Sequence, residues 1–293
     1  MNQPTVVDTR HDCTRACLGA RAAGHTVALV PTMGYLHAGH EALIGKARAE
    51  ASYVVATVFV NPAQFGPDED LDRYPRDLDG DIGVCKKAGV DLVFAPSVSK
   101  EMYPEGFQTW VSVDEATRHF CGAKRKGHFR GVTTIVARLF NLVRPDVAFF
   151  GEKDFQQLVA IRTMVRDLDM GLRIEGVPTV REPDGLAVSS RNSLLSEEAR
   201  KRAVCLVEGI RAAQAAFGDG ERAVSSLVGS CRQVVESAAD EVDYVAIADP
   251  DTMEPLEDDV IAAPDARLLV AAFIEGTEGA VRLIDNAAVG VAT

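Results

Sequence analysis

Apolar runs without polar alternation recur along the first two thirds of the chain: TVALVPT (26–32), YVVATVFV (53–60), VDLVFAP (90–96), DVAFFGE (146–152) and RIEGVPTV (173–180). Unbroken apolar stretches of strand length are what parallel strands covered on both faces require. Segments of helical period lie between them. In 132–143 the apolar residues fall at 132, 135, 136, 139, 140 and 143, one stripe of a 3.6-residue helix, and Arg144-Pro145 ends it. Alternating strands and helices predict an α/β domain over 1–180, a Rossmann-like doubly wound parallel sheet whose ligands sit beyond the carboxyl ends of its strands.

The pattern changes at Ser196. SEEARKRAVCLVEGIRAAQAAF is helical, with Ser196 as its N-cap and Glu197 and Glu198 in the first turn. Beyond Gly218-Asp219-Gly220 follow another helix and the strand-like runs VDYVAIA (242–248) and ARLLVAAFI (266–274). A smaller C-terminal α+β domain over 181–293, in the role of a lid, is the expectation. The Pro- and Asp-rich stretch 249–264 reads as a surface loop.

Bulk properties narrow the function. A chain of 293 residues with a 47% hydrophobic share can build the core of an enzyme-sized protein. With 31 basic and 43 acidic side chains the formal charge is −12, which argues against general attraction to nucleic acid or an anionic membrane, so any bound anion needs a local cationic site. No apolar run approaches bilayer length, and MNQPTVVDTR lacks a basic-then-apolar signal; the expected location is the cytoplasm. The six cysteines (13, 17, 85, 121, 205 and 231) form no CxxC pair and read as reduced, packed thiols.

The most chemical stretch is Pro31-Thr32-Met33-Gly34-Tyr35-Leu36-His37-Ala38-Gly39-His40, with two histidines three residues apart where a strand gives way to a helix. Backbone N–H groups and the helix dipole favour anions at such a junction, so two imidazoles there suit a phosphate. A surface pair, or one cap and one packed ring, is the plain alternative. Lys153 in GEKD is a point charge for phosphate, or a solvated lysine. Asp154 with Gln157 fits a capping box, and a cap carboxylate at a strand–helix junction can also accept from a ribose hydroxyl. Ser189, Ser190 and Arg191 after the Pro183-Asp184-Gly185 turn can wrap β- and γ-phosphates, or form an ordinary Ser-rich turn. Asn61, Gln64 and Gln157 are neutral amides suited to hydroxyls and a carboxylate. Phe65 and Phe155 offer apolar contact or belong to the core.

Taken in order, the first stretch, VFVNPAQFG (58–66), DLDRYPRD (70–77), RKGHFRGV (125–132), FFGEKDFQQL (149–158) and REPDGLAVSSRN (181–192) resemble the pantothenate synthetase (pantoate–β-alanine ligase) family of the nucleotidylyltransferase superfamily. The likeness resumes in 243–257 and in RLIDN (282–286). It implies an ATP-dependent ligase that activates pantoate as an acyl adenylate, releases pyrophosphate, and joins the acyl group to β-alanine with loss of AMP.

For the site, the resemblance implies phosphate roles for His37, His40, Lys153, Ser189, Ser190 and Arg191, with Arg191 where related mobile loops carry lysine. It implies further nucleotide contacts from Pro31, Thr32, Met33, Gly39, Gly151, Asp154 and Val180, and pantoate contacts from Met33, Asn61, Gln64, Arg125, His128 and Gln157. Asp81 matches a metal-side aspartate for the Mg²⁺ that accompanies ATP, or is an exposed helix-start carboxylate. Gly80 stands where some members have a second acid. Tyr74 resembles a residue at the site rim, with packing as the alternative. Lys126 replaces the family's proline, a change expected to loosen the turn and the placement of His128. A homodimer is implied as well.

Two other classes fit some of these features. A nucleotidyltransferase that keeps the nucleotide on its product would use the same histidine turn, and a non-catalytic protein would bind ATP without turnover. A tRNA synthetase is disfavoured by the acidic balance.

Overall fold

The computed structural model describes residues 3–67, 69–258, 262–277, 279–291 and 293. In chain order the elements are β1 (Thr5–Val7), α1 (Arg10–Ala22), β2 (Val27–Thr32), α2 (Ala38–Glu50), β3 (Tyr53–Val58), α3 (Leu78–Ala88), β4 (Leu92–Phe94), α4 (Ser99–Met102), α5 (Phe120–Lys124), α6 (His128–Val143), β5 (Val147–Gly151), α7 (Phe155–Asp167), β6 (Arg173–Val177), α8 (Glu197–Ala203), α9 (Cys205–Gly218), α10 (Val224–Glu236), β7 (Glu241–Ala248), β8 (Arg267–Gly276) and β9 (Gly279–Ala288).

Val27 to Val30 and Val54 to Ala56 have no exposed surface. Burial on both faces places β2 and β3 in the middle of a six-stranded sheet, in the order β1-β4-β3-β2-β5-β6 with every pairing parallel. β2 pairs with β3 from Val27 opposite Tyr53 to Thr32 opposite Val58, and with β5 through Ala28 and Leu29. The strand order therefore reverses between β2 and β5, the switch point beyond which doubly wound sheets hold ligands. The strand ends there are Thr32 and Gly151. On one face Leu43, Ile44 and Ala47 of α2 pack against Val30, Val54, Val93 and Phe149.

The helix expected over 132–143 begins a turn earlier. Gly127, at φ +82°, supplies the left-handed residue before His128, and Arg144, at φ +50°, closes the far end ahead of Pro145. Ser196 caps α8 as expected, accepting from the Ala199 N–H at 3.1 Å, but the helical stretch breaks into α8 and α9 at Val204. Two strands were not foreseen. β1 is only three residues long and lies along the sheet edge against β4. β9 carries Asp285 and Asn286 in its middle, which breaks an apolar pattern; both are buried, and Asp285 accepts from both Arg181 terminal nitrogens at 2.6 and 2.9 Å.

The chain divides into two compact units. Unit 1 comprises residues 1–117, 121–152 and 160–178, and unit 2 comprises 118–120, 153–159 and 179–293. Unit 2 is built on the antiparallel sheet β7-β8-β9, with Leu206, Ile210, Leu227 and Val235 of its helices packed on Leu268, Val270 and Leu283. A single cut at 180 misses two excursions: Phe120 lies against Tyr244, with ring centroids 5.7 Å apart, and the Lys153 carbonyl is held by Asn286. Residues 259–261 of the expected 249–264 loop lie outside the described residues. Among the described residues no helix is long and apolar enough to cross a membrane.

Candidate active site

In unit 1 the β2–α2 junction is a reciprocal cap. His37 is the N-cap of α2, and its Nδ1 accepts from the Gly39 N–H at 3.2 Å. His40 Nδ1 accepts in turn from the His37 N–H at 3.3 Å, and the ring centroids stand 4.1 Å apart. A neutral imidazole with an accepting Nδ1 carries its proton on Nε2. Both rings thus have Nε2–H as their donor at a helix N-terminus, so the capping geometry is compatible with an anion bound there. A Cβ at Gly39 would stand 3.0 Å from His37 Cε1, so glycine lets the ring fold back on the helix.

Three residues ahead of His37 the chain turns through two left-handed positions, Gly34 at φ +85° and Tyr35 at φ +54°. The Thr32 hydroxyl accepts the Gly34 N–H at 3.1 Å and donates to the Thr57 carbonyl. Asp81, which the resemblance assigned to Mg²⁺, has another placement. It is 2% exposed, and its two oxygens accept from the Tyr35 and Leu36 N–H groups at 3.0 and 2.6 Å. A buried carboxylate so occupied does not fit a metal ligand, and the described residues include no group of three or more His, Cys, Asp or Glu side chains arranged for a metal.

The amides form a second cluster. Asn61 is 1% exposed, and its Nδ2 donates to Gln64 Oε1 at 2.9 Å and to the Gly131 carbonyl at 3.1 Å. Its Oδ1 accepts from the Tyr103 hydroxyl at 2.7 Å and the Ala63 N–H at 3.3 Å. With both donors and both lone pairs used, Asn61 braces Gln64 rather than offering its own amide. Gln64 Nε2 lies 3.2 Å from Met33 Sδ. Burial pushes the Tyr103 hydroxyl up to about 12, which keeps it protonated as that donor.

Arg125 differs from the expected anion-handling group. Its Nε and Nη2 meet the two Glu69 oxygens at 2.8 and 2.5 Å, so its charge is already matched. Glu69 was not found from sequence, because nothing in FGPDED marks one acid over the others. His128 opens α6, with Nδ1 2.8 Å from the Gln64 carbonyl. The turn that Lys126 was expected to loosen is closed, since Gly127 supplies the left-handed residue and the Arg125 carbonyl accepts the His128 N–H at 3.0 Å. Tyr74 is 6% exposed and sits edge-on to Phe65 at 5.9 Å.

In unit 2, Lys153 follows Glu152 in the 3-10 turn Glu152–Asp154, its ammonium 3.8 Å from Asp154. Asn286 donates from Nδ2 to the Lys153 carbonyl at 2.7 Å and accepts at Oδ1 from Arg267 Nε at 2.6 Å. The Arg267 guanidinium stands 4.0 Å above the Phe155 ring. Gln156 is buried and donates to the His119 carbonyl, while Gln157 beside it is half-buried. Ser189 caps the turn Ser190–Leu194 through the Arg191 N–H at 3.3 Å, and Ser190 is buried. The Val180 carbonyl accepts the Val188 N–H at 3.0 Å, beside the isolated antiparallel bridge between Arg181 and Ala187.

A parallel sheet reversing at β2 and β5, with a histidine-capped helix after the switch strand, defines a Rossmann-like nucleotide-binding α/β protein. The family model described as pantoate-beta-alanine ligase matches residues 5–288. Pantothenate synthetase from Myxococcus xanthus is 50% identical over 287 residues, covering 98% of this chain and 97% of that one. The crystal structure of pantothenate synthetase from Thermus thermophilus superposes with a TM-score of 0.89 at 47% identity, over 97% of this chain and 99% of that one. Pantoate-beta-alanine ligase from Francisella tularensis, complexed with beta-gamma ATP and beta-alanine, gives a TM-score of 0.78 at 29% identity over 98% of each chain. The chain belongs to the pantoate-beta-alanine ligase family.

Proposed function

We propose that the protein condenses pantoate with β-alanine at the expense of ATP. A pantoate carboxylate oxygen attacks the α-phosphorus and pyrophosphate leaves, forming pantoyl adenylate. The β-alanine amine then attacks the acyl carbon, AMP leaves, and the amine proton passes to solvent or base. The observation that carries the reading is the reciprocal cap of His37 and His40, which presents two Nε2–H donors at the carboxyl end of the switch strand in a chain of this family.

His37, His40, Lys153, Ser189, Ser190 and Arg191 are assigned to the phosphates, where donors must meet charge that grows in the transition state. Pro31, Thr32, Met33, Gly39, Gly151 and Val180 are assigned to the nucleotide wall, and Asp154 to ribose. Gln64 and Gln157 are assigned to pantoate, with Asn61, Arg125 and His128 supporting Gln64. Mg²⁺ is assigned to ATP's own phosphate oxygens and water. No side chain acts as a covalent nucleophile. A reducing, cytoplasmic setting is supported by six free thiols, and the assembly is proposed to be a homodimer on family likeness.

Labelled pyrophosphate should exchange into ATP when pantoate is present and β-alanine absent, and AMP should appear on adding β-alanine. A stable nucleotide-bearing product instead would establish the nucleotidyltransferase reading.

A further inference from the structure

The chemistry of the histidine turn explains what His37 does, but not what holds it. The strand β2 ends at Thr32, and the chain must reverse into α2 within five residues, passing through Gly34 and Tyr35 in left-handed backbone. A non-glycine residue at φ +54° is disfavoured by about 1 kcal/mol or more, and persists where surrounding contacts over-determine it. Here the contacts come from α3. Asp81, on the first turn of that helix, directs one oxygen to the Tyr35 N–H at 3.0 Å and the other to the Leu36 N–H at 2.6 Å. These are the two residues that directly precede His37. The fit is tight: a Cβ on Gly34 would lie 2.8 Å from Asp81 Oδ2 and 2.9 Å from Val58 Cγ1.

We infer that Asp81 is a positioning residue, a carboxylate clamp that sets the Tyr35–Leu36 backbone and through it the His37 ring, rather than a magnesium ligand. The inference rests on the ligase reading for its kinetic consequence. Two N–H dipoles converge on the carboxylate, one on each oxygen, and a bond to an ionised carboxylate is charge-assisted and stronger than a neutral one. Burial opposes the charge and raises the carboxyl above its ordinary range, and the two N–H groups pull it back down. Gly39 and the His40 cap then carry the register from His37 into α2.

Asp81→Asn keeps the side-chain shape but turns one accepting oxygen into an NH₂ group that faces a backbone N–H. A displacement of His37 by an ångström is enough to lower kcat for pantoate-dependent pyrophosphate exchange on the order of 100-fold. The pantoate KM should stay within about two-fold, because the Asp81 carboxylate is hydrogen-bonded to the Tyr35 and Leu36 N–H groups and not to Asn61 or Gln64. The Mg²⁺ concentration for half-maximal rate should be unchanged. Gly34→Ala keeps every carboxylate but crowds Asp81 Oδ2 and Val58 Cγ1 and strains the turn that the clamp holds, and should reproduce the same kinetic pattern if Asp81→Asn fails to fold.

Restoration of Asp81→Asn activity by raised Mg²⁺ would overturn the inference in favour of metal binding, and full kcat in a folded Asp81→Asn would overturn it outright. Histidine ring ¹⁵N resonances give a readout without turnover: in Asp81→Asn those of His37 and His40 should shift while that of His128 stays, and unshifted His37 and His40 signals would also overturn it. Absence of pantoate-dependent exchange in the unaltered protein would instead sink the ligase reading and leave the resonance test standing.

Discussion

Arg125 Nη1 lies 3.1 Å from His128 Nε2. A guanidinium only donates, so Nε2 accepts, and the ring proton sits on Nδ1 and is donated to the Gln64 carbonyl at 2.8 Å. His128 is a bridge from the Glu69–Arg125 pair to the backbone of Gln64. His128→Ala should raise the pantoate KM roughly 10-fold, the effect of losing hydrogen bonds to a charged partner. His128→Asn, with an amide N–H in place of Nδ1–H, should recover part of it. Initial rates at varied pantoate decide this, and an unchanged KM in His128→Ala would remove His128 from the substrate side.

The same cluster has a pH signature. Burial works to raise the Glu69 carboxyl, but the hydrogen bonds and charge of Arg125 outweigh it and leave the group below its ordinary 4.5. A depressed folded-state pKa adds stability above the unfolded value, and that stability is lost as pH falls through the folded value. Glu69→Gln should therefore melt roughly 2–4 °C below the unaltered protein at neutral pH, with the gap closing under acid below pH 4.5. Thermal midpoints at both pH values test it. A constant gap would mean that the pair contributes by packing alone.

Gly131 has no room for a side chain, because a Cβ there would run into the Ala63 carbonyl. Gly131→Ala should push the Pro62–Gln64 turn away from α6, destabilise the fold by about 1–3 kcal/mol, and weaken pantoate more than ATP. Denaturant midpoints and separate KM values for the two substrates give the comparison. Equal weakening of both would argue for general loosening.

Asn286 separates two contacts by chemistry. Asn286→Asp retains an acceptor for Arg267 but loses the N–H that holds the Lys153 carbonyl. Its kcat should fall roughly 10-fold, in line with a lost buried hydrogen bond of about 1–1.5 kcal/mol, while stability changes less than in Asn286→Ala. Full activity in Asn286→Asp would show that Lys153 needs no support from β9.

All six cysteines are buried and free. Burial pushes Cys85 and Cys231 up to about 12 and Cys205 to about 11. Alkylation of the native protein at about pH 8 should be slow, because burial closes access to all six and thiolate is scarce at Cys85, Cys205 and Cys231. All six should react once the chain unfolds, as mass spectrometry would show. Fast native labelling at any of them would reveal local opening.

The site was legible wherever chemistry is written in adjacent residues. His37, Gly39 and His40 carry their own geometry, since a three-residue spacing at a helix start makes the reciprocal cap. Asp81 was misread because a lone acid in DLDGD has no local sign of its partners, which lie 45 and 46 residues away. Glu69, Tyr103 and Asn286 were missed for the same reason: each acts through a contact that only folding creates. RLIDN was visible as a motif, but its link to Lys153 spans 133 positions.

By itself the order of residues determined the parallel sheet, the helix stripes, the separate C-terminal unit and the place of the two histidines at a strand-to-helix junction, because these depend on periodicity and neighbours. The tertiary structure alone decided which polar groups are spent on one another. Arg125, Asn61 and Asp81 each had a substrate or metal as plausible partner from sequence, and each is matched by protein groups instead. Desolvation is the physical reason: a buried donor or acceptor must find a partner, and which one it finds depends on distance in space rather than along the chain.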